Sequence, residues 1–166
     1  MEMRRADLAV TGVDRLSAIL EAAQVGHLGL VDDEGVYVVP RSFAHRLRDG
    51  GGITVYVHGA REGRTMAGFA ARPDARICFQ AEVRHATTGL DSPTVDSLSV
   101  RYESVIGWGP ARLVDDPDEA LAAGRALVEK YAPGRGRELL APLPAHVAIV
   151  ALDLDDLTGK ARNPEA

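Results

Sequence analysis

The sequence predicts an α+β domain, mainly β, in which six strands form a small closed or nearly closed barrel with helices at its periphery. Three observations carry that expectation. Six short apolar runs are bounded by Gly, Asp and Pro, and most are joined by hairpin-like connections. The first three follow one another with no helix between them, which disfavours a doubly wound parallel sheet. Helical patterning enters at only three places.

In chain order, Thr11-Gly12-Val13-Asp14 offers a capping box. Val13, Leu16, Ile19, Leu20 and Ala23 then recur at helical spacing, so an amphipathic helix is expected over about 12–25. After Gly26, Leu28 to Val31 reads as a strand, Asp32-Asp33-Glu34-Gly35 as a tight turn of solvated carboxylates, and Val36 to Pro40 as the returning strand. The run Arg48 to Gly52 is a glycine-rich turn, and Ile53 to His58 alternates as the third strand. A short helix is expected from about Glu62 to Ala71, stopped by Pro73 with Asp74 in a turn. Arg76 to Val83 is the fourth strand, and Ala86 to Ser97, with Gly89 and Pro93, is one long loop. Ser99 to Leu113 is a long fifth strand, in which Gly107 and Gly109 suggest a bend or bulge at a barrel corner. Asp115 and Asp116 cap a helix with Pro117 in its first turn, running through Tyr131. Val147 to Leu154 is the sixth strand, followed by a tail over about 158–166.

Bulk properties bound the function. A chain of 166 residues with 46% apolar content can bury the core of one domain, and residues 1–166 are read as such. A net charge of −5 argues against a general nucleic-acid binder, because neutralising phosphates needs a basic surface. The single Cys78, in Arg76-Ile77-Cys78-Phe79, cannot staple the fold and reads as a small buried hydrophobe, which fits a reducing cytoplasm. No stretch approaches membrane-spanning length, so neither a membrane nor a nucleic-acid partner is expected. The five histidines show no close metal-ligand spacing, and no Gly-x-Ser-x-Gly elbow supports hydrolase chemistry.

Two stretches carry chemistry. In Val55-Tyr56-Val57-His58-Gly59-Ala60-Arg61-Glu62-Gly63-Arg64 a strand runs through small residues into a helix, leaving backbone N–H groups unpaired where the helix dipole is positive. Gly59 allows close backbone approach, Gly63 an unusual turn, and Arg61 or Arg64 a charge-assisted fork to phosphate oxygens. The plainer reading is an ordinary strand-to-helix turn with solvated arginines. In Arg101-Tyr102-Glu103-Ser104-Val105-Ile106-Gly107-Trp108-Gly109, the residues Tyr102, Ser104, Ile106 and Trp108 share one face. The lone Trp108 either packs or lies flat against a planar ligand.

Together with Gly-His-Leu-Gly-Leu-Val-Asp, Tyr-Val-Val-Pro, Arg-Ile-Cys-Phe and Leu-Thr-Gly-Lys, these motifs resemble the pyridoxamine 5′-phosphate oxidase-related flavoproteins over about Val25 to Ala161. The branch containing the nitroimidazole-resistance reductases is the most similar. The resemblance implies a six-stranded split β-barrel homodimer with FMN in a cleft between subunits. It places Val39, Pro40 and Arg41 beside the isoalloxazine, and His58, Gly59, Ala60, Arg61, Gly63 and Arg64 around the ribityl phosphate. Ser104 and Trp108 would approach from the fifth strand. His58 is the candidate proton donor near a reduced flavin, against the plainer role of a strand-end hydrogen-bonding residue.

Relatives commonly read His-Ser-Ala where this chain has His58-Gly59-Ala60, and often Lys where Arg64 stands. The basic, histidine-containing C-terminal signature of true pyridoxamine phosphate oxidases is replaced by Leu157-Thr158-Gly159-Lys160-Ala161-Arg162-Asn163, which argues against a vitamin B6 phosphate substrate. The expectation is a cytoplasmic FMN-dependent oxidoreductase that reduces a small electron-poor substrate, such as a nitroaromatic. A nicotinamide donor would bind only transiently, since no dinucleotide fingerprint is present. The alternatives are a deazaflavin- or haem-using enzyme on the same barrel, or a flavin-binding module without turnover.

Overall fold

The computed structural model describes residues 4–72, 75–91, 94, 97–138 and 143–162. In chain order the elements are β1 (Ala9–Val10), α1 (Val13–Ala22), β2 (Gly26–Asp32), β3 (Gly35–Arg41), β4 (Phe43–Leu47), β5 (Ile53–Ala60) and α2 (Arg64–Ala71). They continue as β6 (Arg76–Thr88), β7 (Ser99–Leu113), α3 (Pro117–Tyr131), β8 (Val147–Leu154) and β9 (Asp156–Arg162). All pairings are antiparallel, in the order β3-β2-β6-β7-β8-β5-β4, with β9 between β7 and β1. The path curls without a β3–β4 ladder, so the barrel is split as expected.

Among the described residues nine strands form where the pattern of apolar runs indicated six. β4 reads Phe-Ala-His-Arg-Leu and β9 Asp-Leu-Thr-Gly-Lys-Ala-Arg, neither of which alternates clearly, and β1 is two residues long. These strands exist because a neighbour offers unpaired backbone, not because their own side chains demand it. Residues 158–162, expected in the tail, belong to β9. The capping box at Thr11 does not form: Gly12, at φ 89°, is the N-cap of α1 and has no side-chain bond. By contrast Asp116 caps α3 as its position suggested, its carboxylate accepting from Asp118 N at 2.9 Å. β6 runs on to Thr88 into the expected loop, while Pro93, Pro73 and Asp74 lie outside the described residues.

The glycines of β7 mark a corner. From Tyr102 to Trp108 the strand pairs β9, and from Ala111 to Leu113 it pairs β8. At the switch a Cβ on Gly109 would overlap the Asp153 carbonyl oxygen. The bulge lies instead in β6, between Arg84 and Ala86.

β5 is buried on both faces, because two apolar layers meet on it. Ile53, Val55 and Val57 point into the barrel with Leu28, Phe43, Phe79, Val105 and Leu152, closed by Leu16, Ile19 and Leu20 of α1. Tyr56, with Ala44, Ile149 and Ala151, packs outward against Ala123 and Leu127 of α3. Among the described residues no helix is long and apolar enough to cross a membrane.

No described helix lies over the outer face of β3-β2-β6-β7. Val31, Val36 and Val38 are 44%, 79% and 61% exposed. Across the ladder Val38 stands opposite Gly29, Gly29 opposite Cys78 and Cys78 opposite Trp108. Cys78 therefore points outward and is half-buried, correcting its expected place in the core: Ile77 and Phe79 take the inward positions on either side of it.

Candidate functional site

Where β5 runs past β4, still paired with β8, its burial ends abruptly, from Val57 at 3% exposure to an exposed His58. The chain turns at Gly63 (φ 110°), which a residue with a Cβ adopts only with strain, and enters α2. No side chain caps this helix and its first turn holds no acidic residue. Its leading N–H groups therefore point, unpaired within the helix, at whatever lies beyond the β5 end.

A cleft of about 210 Å³ opens there, with Arg41, His58, Gly59, Gly63, Arg64 and Thr65 on its rim and Val57, Met66, Phe69 and Val150 as an apolar floor. Arg41, arriving from the end of β3, donates from Nη2 to Thr65 Oγ1 at 3.2 Å. Its Nη1 lies 3.7 Å from where a Gly59 Cβ would stand. A cation, a hydroxyl and an uncapped helix start thus converge within one turn of backbone, which is the chemistry of an oxyanion site.

Of the residues expected around a phosphate, the structure brings His58, Gly59, Ala60, Gly63 and Arg64 to this cleft, and Arg41, expected beside the isoalloxazine, joins them there. Arg61 turns away, its Nε donating to Ala145 O at 2.8 Å and its backbone N to His146 O at 3.1 Å. Val39 and Pro40 precede Arg41 on β3, and Ser104 and Trp108 stand on β7; none of these four lines the cleft. As the alternation required, Tyr102, Ser104, Ile106 and Trp108 share the outer face of β7, while Glu103 and Val105 are buried.

Arg64 is engaged in a way the sequence did not disclose. Its Nε and Nη2 donate to the two Asp32 oxygens at 2.6 and 3.0 Å, Glu34 lies 3.1 Å from Nη2, and the guanidinium sits 4.2 Å above the Tyr37 ring. Of the hairpin carboxylates, all expected to be solvated, Asp33 and Glu34 are exposed, but Asp32 and Glu34 also tie the β2–β3 turn to α2. The bond from Arg64 holds the Asp32 carboxyl below the usual carboxylate range, and Asp32 in turn raises the guanidinium. Arg41 is consequently the cation of the rim that no described carboxylate grips. Thr65, Met66 and Phe69 also line the cleft without being among the expected residues; the one signal for them in the sequence is a hydroxyl in the first turn of a helix with no side-chain cap.

Comparison with known proteins follows this geometry. A family model described as pyridoxamine 5′-phosphate oxidase matches residues 13–161. Among solved structures, the flavocytochrome Anf3 of Azotobacter vinelandii superposes with a TM-score of 0.76 at 25% identity, covering 97% of this chain and 72% of that one. A 5-nitroimidazole antibiotic resistance protein of Bacteroides thetaiotaomicron gives 0.71 at 22% identity, covering 92% and 86%. A FAD- and haem-binding protein of Mycobacterium smegmatis gives 0.71 at 21% identity, covering 95% and 74%. No curated protein matches the chain.

Proposed function

The chain belongs to the pyridoxamine 5′-phosphate oxidase family, and from that premise we propose that it is a flavoprotein that grips FMN by its phosphate at the β5–α2 turn. The observation that carries this reading is the convergence of Arg41, Thr65 and the uncapped start of α2 across Gly59. In the proposed complex Arg41 and Thr65 bind phosphate oxygens, Gly59 leaves room for the ribityl chain, and the apolar floor excludes water beneath it. His58, at the exposed end of β5, is the group placed to hold a proton at the rim. When bound, FMN supplies the two-electron chemistry, and the reading extends to reduction of a small electron-poor substrate in a reducing cytoplasm.

At about 210 Å³ the cleft is smaller than the roughly 300–1,000 Å³ of sites that enclose a whole ligand. It suits the phosphate end and leaves the ring to be covered from outside. We propose that a second copy supplies that cover, its β7 face bringing Ser104 and Trp108 to the ring. Solved neighbours described as FAD- or haem-binding make the identity of the bound group the first thing to measure. Purified protein titrated with FMN is expected to shift and quench flavin absorbance and fluorescence at micromolar concentration, and denaturation of protein taken from cells is expected to release FMN. Release of FAD, a deazaflavin or haem instead would assign the barrel to that group, and no flavin binding at all would overturn the proposal.

A further inference from the structure

Away from that cleft a cavity of about 370 Å³ opens between α1, β4 and α3 and shares no lining residue with it. Two polar side chains line this space with donor capacity left over. The first is His45, whose imidazole is 6% exposed. Its Nε2 lies 2.7 Å from Ser17 Oγ, but Nδ1 makes no hydrogen bond, the Glu21 carboxylate being 3.9 Å away on a side chain that is 69% exposed.

The second is Lys130. Of the 19 basic residues only Lys130 and Lys160 are lysines, so the chain otherwise meets every need for a cation with arginine. Lys130 Nζ donates to Leu20 O at 2.6 Å and lies 3.7 Å from the Phe43 ring centroid and 6.0 Å from that of Tyr131. It forms no ion pair with a described carboxylate. Glu129, on the cavity wall, is already used: its two oxygens accept from Gly134 N at 2.8 Å and Gly136 N at 3.0 Å.

We propose that this cavity binds a small monocarboxylate, its oxygens accepting from His45 Nδ1 and Lys130 Nζ and its short apolar part resting on Ala44, Ala126 and Pro133. In the proposed complex Ser17 Oγ, 2.7 Å from Nε2, is the donor of that pair, which leaves the imidazole proton on Nδ1 for the ligand. A cation would meet the Lys130 ammonium, and a dianion would meet twice the repulsion from Glu21 and Glu129 that a single carboxylate does; one planar carboxylate matches the two donors at the smaller cost. The electrostatics agree. Burial holds the Lys130 ammonium down to about 8, with Glu21 as its one opposing influence, and burial together with the Lys130 charge depresses His45. A bound carboxylate relieves both.

With only two lysines, protein labelled with carbon-13 at lysine gives two ε-methylene signals, and Lys160 serves as the internal control. Titration in sodium acetate against sodium chloride at equal ionic strength is expected to raise the Lys130 midpoint, by about one unit at roughly ten times the Kd for acetate, and to leave Lys160 in place. His45→Phe is expected to weaken acetate about tenfold or more, and Glu21→Gln to tighten it. Ala126→Leu keeps both donors and fills the space, so it is expected to abolish the response. A Lys130 midpoint identical in acetate and chloride overturns the proposal, as does a response that survives Ala126→Leu in folded protein. None of these outcomes depends on flavin binding.

Discussion

Arg41 and Arg64 stand at the same helix start with the same charge, yet only Arg64 is held by carboxylates. Arg41→Ala is therefore expected to weaken FMN by roughly ten- to a hundredfold, from the loss of about 1.5–3 kcal/mol of charge-assisted bonding, while riboflavin, which has no phosphate, changes little. Fluorescence titration with both ligands reads the difference, and equal losses would remove Arg41 from the phosphate site. Arg64→Ala is expected to show less of that selectivity and to free the β2–β3 turn. Because Asp32 has a lowered folded value, its share of stability is present above the ordinary carboxylate range. That share is lost only as pH falls through the lowered value. An NMR titration in which Asp32 moves back to the ordinary range in Arg64→Ala checks the pairing. Gly59 has a negative or extended φ, and a Cβ there meets nothing nearer than 3.7 Å, so Gly59→Ser fits. Its hydroxyl is expected to tighten FMN about two- to tenfold, as one neutral hydrogen bond of 0.5–1.5 kcal/mol would. His58, Gly59 and Gly63 were legible because they are neighbours in sequence. The Asp32–Arg64 pair was not, since 32 residues separate its partners and only the folded hairpin brings them together.

Glycines of the same strand differ in what their missing Cβ spares. At Gly107 a Cβ would press on Leu157 Cδ2 at 2.8 Å and Leu154 Cδ1 at 3.0 Å, the ends of side chains that can turn. At Gly109 it would overlap backbone, the Asp153 carbonyl, at the point where β7 changes partner. Gly107→Ala is expected to cost about 1–3 kcal/mol and Gly109→Ala more, measured by urea unfolding. The docking of α3 makes a second element-level test. Glu119 accepts from Arg112 at 2.7 and 2.9 Å and from the Tyr56 hydroxyl at 2.8 Å, which keeps its carboxyl down at about 2. Glu119→Ala is expected to destabilise by about 1–3 kcal/mol at neutral pH, chiefly by orphaning that hydroxyl. Since the folded value is depressed, the gap between wild type and variant should hold above the ordinary glutamate range and narrow as pH falls towards about 2, the part due to the Tyr56 hydroxyl remaining because a neutral carboxyl still accepts from it. Elements whose own side chains alternate or cap, such as β7, β8 and α3, could be read from the sequence to the residue. β4 and β9 could not, because what fixes them is the vacant backbone of β5 and β7, supplied by residues elsewhere in the chain.

At the scale of the molecule, two faces of the barrel are treated unequally. The β4-β5-β8 side is sealed by α3, whereas the β3-β2-β6-β7 side exposes valines on β3, a strand paired on one edge only. An apolar edge of that kind invites association unless something covers it. The cleft at α2 has the complementary deficit, a polar end and too little wall to enclose a ring. The proposed second copy, laid on the exposed sheet, would answer both at once and would give Ser104 and Trp108, far along the chain from the cleft residues, a reason to face outward. Replacing Val36 and Val38 together by Glu leaves the barrel core untouched, since both side chains are exposed, and surface changes of this kind cost within about ±0.5 kcal/mol each. Sedimentation is expected to show a dimer in the wild type and a monomer in the variant, with FMN lost in step although the thermal unfolding of the monomer is preserved. A variant that remains dimeric and yellow would put the partner on another face, and one that becomes monomeric yet keeps FMN would mean that a single chain encloses the ring by itself.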